Sequence, residues 1–258
     1  MTVSTGAYGT LLVAHVLFSL LTTPVVFWVG SPYGKLTDAF RARAPTFLVG
    51  TSVPGKAGWV VMETAALVTY WWTWLRSAPA VPSGWAWLYA ALWTVHYVNR
   101  AWIYPWRSPS RSPMGLTVVL AAVVFNVING FVNGAWAGAC TSRPPVFSFL
   151  LGLALFIAGF LNNVWADERL MALRRIPDGP RYRIPYGGGF AWVSSPHYLA
   201  ELLEWTGYAM ATGALPAWLF VASTAANLVP RAQHAHRWYR RQFPDYPADR
   251  QAIIPYLY

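Results

Sequence analysis

The 258-residue chain is poor in charge. Only 11% of its residues are charged, and just 9 are acidic against 19 basic, where soluble domains carry about 25% charged residues. That scarcity, with 56% hydrophobic residues and a mean hydropathy of +0.35, excludes an ordinary water-soluble domain. Cysteine is scarcer still. With Cys140 alone, the chain encodes no intramolecular disulfide, no cysteine zinc site and no redox pair; no other metal site is expected. The first apolar run lacks a preceding basic segment, so it reads as a retained helix rather than a cleaved signal. No GxGxxG follows a strand, which excludes a soluble Rossmann domain as a dinucleotide binder. The net charge of +10 comes without a basic domain or a nucleic-acid motif, so nucleic acid is not an expected partner.

What the chain has in excess is aromatic, with 16 Trp, as expected where amphipathic rings line a membrane–water interface. Apolar stretches of spanning character recur at about 7–30, 58–75, 85–106, 114–136, from 147 into ADERLMALRR, 197–212 and 217–230. This pattern predicts an all-α integral membrane protein: seven transmembrane helices in a single membrane domain, 1–258. Seven spans place Lys35, Arg41, Arg43 and Lys56, then Arg107 and Arg111, then Arg174 to Arg183, and the basic C-terminal tail on one side. The other side receives only Arg76 and Arg143. The positive-inside rule then puts the N-terminus outside and the C-terminus in the cytoplasm.

Polar residues inside such spans are functional candidates, because a carboxylate near hydrocarbon costs about 2.5–3.5 kcal/mol unless paired or hydrated. Glu63 is the only acid between Asp38 and Asp167. Glu201 and Glu204 precede the apolar turn Tyr208–Ala211; the plainer reading is that they sit at a wet helix end beside arginines. Trp93, His96, Tyr97 and Arg100 follow i, i+3, i+4, i+7 spacing and form a polar–aromatic stripe on one helix face. Asn126, Asn129 and Asn133 suit interhelical hydrogen bonds as well as ligand contact. A lone histidine such as His15 is more often a satisfied interior group than a ligand. Asn163, Asp167 and Arg174 share a helix face, and Arg174, Arg175, Arg181 and Arg183 lead to Gly187–Gly189, a run that permits close approach of backbone to a phosphate.

These segments are recognisable together. YGKLT at Tyr33–Thr37, the Glu63 span, VHYVNRAWIY, NNVWADERLMALRR, YRIPYGGGFAWVSSPHYLAELLEWTGYA and RAQHAHRWYRRQFPDYPADRQAIIPYLY resemble the steroid 5α-reductase family. The resemblance covers nearly the whole chain and is strongest over about the last hundred residues. It implies a seven-helix enzyme that uses NADPH to reduce the C4–C5 double bond of a 3-oxo-Δ4-steroid or a related lipid enone. Tyr97 matches the family's tyrosine donor to the 3-oxo group and Glu63 its partner glutamate. Trp59 and Arg100 are the implied substrate contacts. The implied cofactor contacts are Arg111, Asn163, Asp167, Arg174, Tyr182, Arg183, His197, Glu201, Arg231 and Tyr239, most of them in the C-terminal half, about 147–258.

Three positions depart from the family pattern: Met62 stands for a glutamine, His197 for an asparagine, and Ala235 interrupts a run of three histidines. The P-x-Y-L-x-E core at Pro196–Glu201 is shared with other sterol reductases and with membrane S-adenosylmethionine-dependent methyltransferases of the isoprenylcysteine type. Those two classes are the alternative enzymes, and a lipid-binding or structural membrane protein is the non-enzymatic one. The expected setting is a bilayer of bacterial inner-membrane or endoplasmic-reticulum type, with a monomer whose cofactor site faces the cytoplasm.

Overall fold

In lipid every backbone N–H and C=O must be satisfied within its own segment, so apolar runs become helices. The computed structural model describes residues 4–29, 50–109, 112–177, 180 and 182–257; Tyr33–Thr37, Arg111 and Arg181 lie outside them. Seven long helices are described: α1 (Thr5–Pro24), α2 (Gly55–Ser77), α3 (Gly84–Val98), α4 (Leu116–Ala139), α5 (Val146–Arg175), α6 (Pro196–Thr212) and α7 (Leu215–Gln242). Strand is confined, among the described residues, to the antiparallel pair β1 (Ser52–Val53) and β2 (Met114–Gly115). Among the described residues, three segments are long and apolar enough to cross a membrane: Thr5–Trp28, Leu116–Ala139 and Val146–Arg175. The protein is thus a helical membrane protein. The other helices carry the Trp, Tyr, Arg and Glu side chains that lower hydropathy. Helix α7 also runs on through Pro230 to Gln242, so the first part of the basic tail is helical.

Packing is set by glycine. Without a hydrophobic drive between helices in lipid, association relies on close van der Waals contact across small residues. Gly130, Gly134 and Gly138 form a ladder on α4 facing Ala66, Tyr70 and Trp74 of α2. A Cβ on them would fall 2.6, 2.3 and 2.4 Å from the carbonyl oxygens of Ala66, Tyr70 and Trp74 respectively. The α5–α6 pair works the same way: a Cβ on Gly159 would lie 2.6 Å from the Ala200 carbonyl, and one on Gly207 2.5 Å from that of Gly152. Between these two pairs Trp93 of α3 is fully buried, with ring centroids 4.7 Å from Tyr70, 5.3 Å from Trp205 and 5.8 Å from Phe220. Helix α1 leans on α4 and α7.

One local irregularity positions the site. After Val98 the helix widens into a π turn, Asn99–Ile103, before a last α turn, Tyr104–Arg107. Pro105 explains it: the ring has no N–H and crowds the carbonyl four residues back. The Tyr104 N–H reaches Asn99 instead, which releases the Arg100 carbonyl to accept the Trp59 indole N–H at 2.9 Å.

Gly134→Val is expected to destabilise the purified protein by about 1–3 kcal/mol, the usual range for overpacking. Thermal unfolding in detergent measures this, and an unchanged Tm would contradict the ladder.

Candidate active site

A cavity of about 240 Å³ opens between α1, α2, α3, α4, α6 and α7. Helix α2 contributes Trp59, Met62 and Glu63, α3 contributes His96 and Tyr97, and the π turn after it contributes Arg100. Both halves of the polar stripe therefore meet the isolated glutamate at one space. Tyr97 is 2% exposed, fixed by ring contacts to Trp93 at 4.9 Å and Trp205 at 5.9 Å. Asn129, whose Oδ1 accepts from Asn133 Nδ2 at 2.9 Å and whose buried Nδ2 has no hydrogen-bond partner, lies near the Tyr97 hydroxyl. Asn126 donates to the Met62 carbonyl at 2.6 Å. Of the three asparagines, then, one bolts α4 to α2 and two pair with each other along α4.

Arg100 lies between two carboxylates. Its Nη1 is 3.1 Å from Asp167 on α5 and its Nη2 is 3.2 Å from Glu201 on α6. The guanidinium also sits 5.0 Å from the Trp59 ring and 4.9 Å from the Tyr104 ring. Asn163 closes the group, donating to the His197 carbonyl at 2.8 Å and lying 3.5 Å from Glu201. The structure thus ties the residue matched to substrate contact directly to residues matched to cofactor contact. Glu204, one turn after Glu201, is 1% exposed and pairs with His96 Nδ1 at 2.8 Å. The wet-helix-end reading fails for Glu204. Sequence inspection had marked both members of this pair without joining them.

The arginine-rich end of the bundle is lined with rings. Arg231, 8% exposed, lies over Tyr198 at 5.1 Å. Tyr239 stacks on Tyr246 at 5.2 Å, and Tyr182 meets Trp238 edge-on at 5.1 Å. Arg174 is exposed and within electrostatic reach of Tyr239. Arg183 Nε is buried with no hydrogen-bond partner. The His197 ring lies 4.1 Å from Tyr198. Arg250 escaped sequence reasoning: it donates to the Pro185 carbonyl at 2.9 Å and covers Tyr186 and Tyr246, so it anchors the C-terminal segment under the Gly187–Gly189 turn. In that turn Gly188, at φ 48°, packs on Trp165, whose ring a Cβ would meet at 2.4 Å. Gly187, at φ 89°, has nothing within 4 Å of its Cβ position and leaves its backbone open to approach.

Ser194 joins this segment to α7, 2.6 Å from His236 Nδ1 and 2.7 Å from the Tyr246 hydroxyl. Burial first, then Arg240 and Arg237, hold His236 below the usual histidine range.

The cavity, lined by apolar and aromatic side chains with a few charged groups and set in a helical membrane protein, has the character of a site for a lipid-soluble molecule. The profile of the family described as 3-oxo-5-alpha-steroid 4-dehydrogenase matches residues 112–258. Human 3-oxo-5-alpha-steroid 4-dehydrogenase 2 is 33% identical over 232 residues, covering 88% of each chain. Rat 3-oxo-5-alpha-steroid 4-dehydrogenase 1 is 31% identical over 237 residues, 89% of this chain and 87% of its own. Tomato steroid 5-alpha-reductase DET2 is 47% identical over 111 residues, 43% of this chain and 42% of its own. The chain belongs to the steroid 5-alpha-reductase family and is an oxidoreductase of that family.

Two outcomes are expected here. Arg100→Leu removes the cation from between buried Asp167 and largely buried Glu201 and should cost about 3–5 kcal/mol, part of it recovered when Asp167→Asn and Glu201→Gln are added; thermal unfolding reads both. His236 takes up its proton at lower pH in the folded state than in the unfolded chain, which does so near pH 6.5. Its contribution is therefore complete above pH 6.5 and is lost as pH falls below that value. Tm should drop between pH 7 and 5, and His236→Gln should flatten part of that slope.

Proposed function

We propose that the protein reduces the C4–C5 double bond of a 3-oxo-Δ4-steroid, or of a related lipid enone, with NADPH as reductant. The observation that carries the reading is the convergence of Glu63 and Tyr97 on one cavity. NADPH, when bound, supplies the hydride that adds to C5. As that bond forms, negative charge collects on the 3-oxo oxygen, and a donor already in place lowers the barrier more than one that must reorganise. Tyr97, immobilised by Trp93 and Trp205, meets that requirement. Tyr97 and Glu63 act together on the oxygen, one donating a hydrogen bond and the other tuning or relaying its proton. A proton added at C4 completes the saturated ketone. Trp59 and Met62 give the ring system apolar walls, and Arg100 borders the same space.

The residues at the basic end suit a dinucleotide with several phosphates. Arg174, Arg183 and Arg231, with Arg111, can bind phosphate oxygens in bidentate fashion. The buried, unpartnered Arg183 Nε is a donor in need of such an acceptor. Asn163, Asp167 and Glu201 offer acceptors and a donor for ribose or amide groups, with His197, Tyr182 and Tyr239 beside them. In this reading all seven helices span the bilayer, the N-terminus is outside, the phosphate-binding end faces the cytoplasm, and the protein works as a monomer.

The test is NADPH oxidation by detergent-purified protein with testosterone, the product identified by mass. A gain of two hydrogens is expected, and Glu63→Gln and Tyr97→Phe should each lower kcat by about 10²–10³ at near wild-type Tm. Methyl transfer from labelled S-adenosylmethionine into a lipid, with no NADPH oxidation, would sink the proposal.

A further inference from the structure

The cavity has a second polar wall, built by α1 and α7, that the reduction does not use. His15 is the one buried residue of α1 and is 0% exposed. Its Nε2 lies 2.9 Å from Ser223 Oγ, which lies 2.7 Å from Ser19 Oγ. Ser19 and Ser223 both line the cavity, and so does Thr224, whose buried Oγ1 has no hydrogen-bond partner.

Proton counting shows what this wall needs. His15 Nδ1 is without a partner, and an unpaired acceptor is better tolerated than an unpaired N–H, so the proton belongs on Nε2 and is donated to Ser223. Ser223 has one hydrogen, which the Leu219 carbonyl accepts at 2.8 Å. Ser19 also has one hydrogen, for Ser223 or for the His15 carbonyl at 2.9 Å; on either choice its oxygen keeps acceptor capacity at the cavity. The Thr224 hydroxyl beside it is free to donate. Pro230, with no N–H, also withholds the helical bond from the carbonyl of cavity-lining Ala226. Helix–helix adhesion alone would not require these spare groups.

We propose that this wall is a recognition subsite for a hydroxyl or carbonyl group at the end of the lipid away from its enone. The protein then selects an oxygenated ligand over one that ends in hydrocarbon. The inference rests on the enone-reductase reading for the orientation of the ligand, but its binding test does not depend on turnover.

Two steroids that share the 3-oxo-Δ4 ring separate the cases: testosterone, with a 17-hydroxyl, and androst-4-en-3-one, with no oxygen at C17. With purified protein, testosterone is expected to give a KM about 3–10-fold lower, the worth of one or two net hydrogen bonds, and a larger ligand-induced rise in Tm. Thr224→Val and Ser19→Ala should bring both ratios close to one. Equal KM values and equal Tm shifts in wild type, or a preference that survives both variants, would overturn the subsite and leave His15 and Ser223 as helix contacts. If neither steroid is reduced, the reductase reading fails, and unequal Tm shifts abolished by Thr224→Val would still uphold the subsite.

Discussion

The bundle depends on closing its charges where water is scarce. Arg100 is the clearest case: one guanidinium bonded to carboxylates from two different helices fixes α3 against α5 and α6 at a single point. A lone cation or a lone carboxylate there would be strongly destabilising, so the three must assemble together. The π turn is part of the same solution. Pro105 unsettles the normal ladder, the freed carbonyl is taken by Trp59, and the guanidinium of that same residue rests over the Trp59 and Tyr104 rings. Both polar ends of Arg100 are thereby held. Tyr97, one turn earlier, inherits the position.

Rigidity at the cavity also comes from elements that never touch the tyrosine. The glycine ladder lets α2 and α4 approach until backbone meets backbone. That closeness brings Asn126 to the carbonyl of Met62, the residue before Glu63. A wider helix separation would break that contact and leave a buried amide unsatisfied, at a cost comparable to the packing itself. Small residues on one face thus set the geometry of polar residues on the next.

The sequence carried the helical membrane class well, because hydropathy and charge scarcity are properties of whole segments. The site was legible where chemistry broke pattern: Glu63 in an apolar run, Tyr97 and Arg100 on one stripe, and motifs dense enough to mark a family. What escaped was pairing. His96 and Glu204 are 108 positions apart, His15 and Ser223 208 apart, and no local period connects them. Gly130, Gly134 and Gly138 were visible as residues, but small side chains look the same whether they face lipid or a neighbouring backbone. The glycine run at Gly187–Gly189 suggested phosphate approach, yet Gly188 is also demanded by its positive φ and by Trp165. Only Gly187 keeps its Cβ side open.

Polarity is divided across the cavity by kind. The ionisable groups, Glu63, Tyr97, His96, Arg100 and Glu201, come from α2, α3 and α6, whereas α1 and α7 meet them with hydroxyls at Ser19, Ser223 and Thr224. Arg231 enters further along α7, about two turns beyond Ser223 by helical rise. Charged groups stabilise charge that develops during a reaction, while neutral hydroxyls grade ligands by hydrogen bonds that do not change along it. A rigid lipid with two unlike ends would therefore be oriented by the mismatch between the walls, its reactive carbonyl drawn to the side that can answer a growing charge.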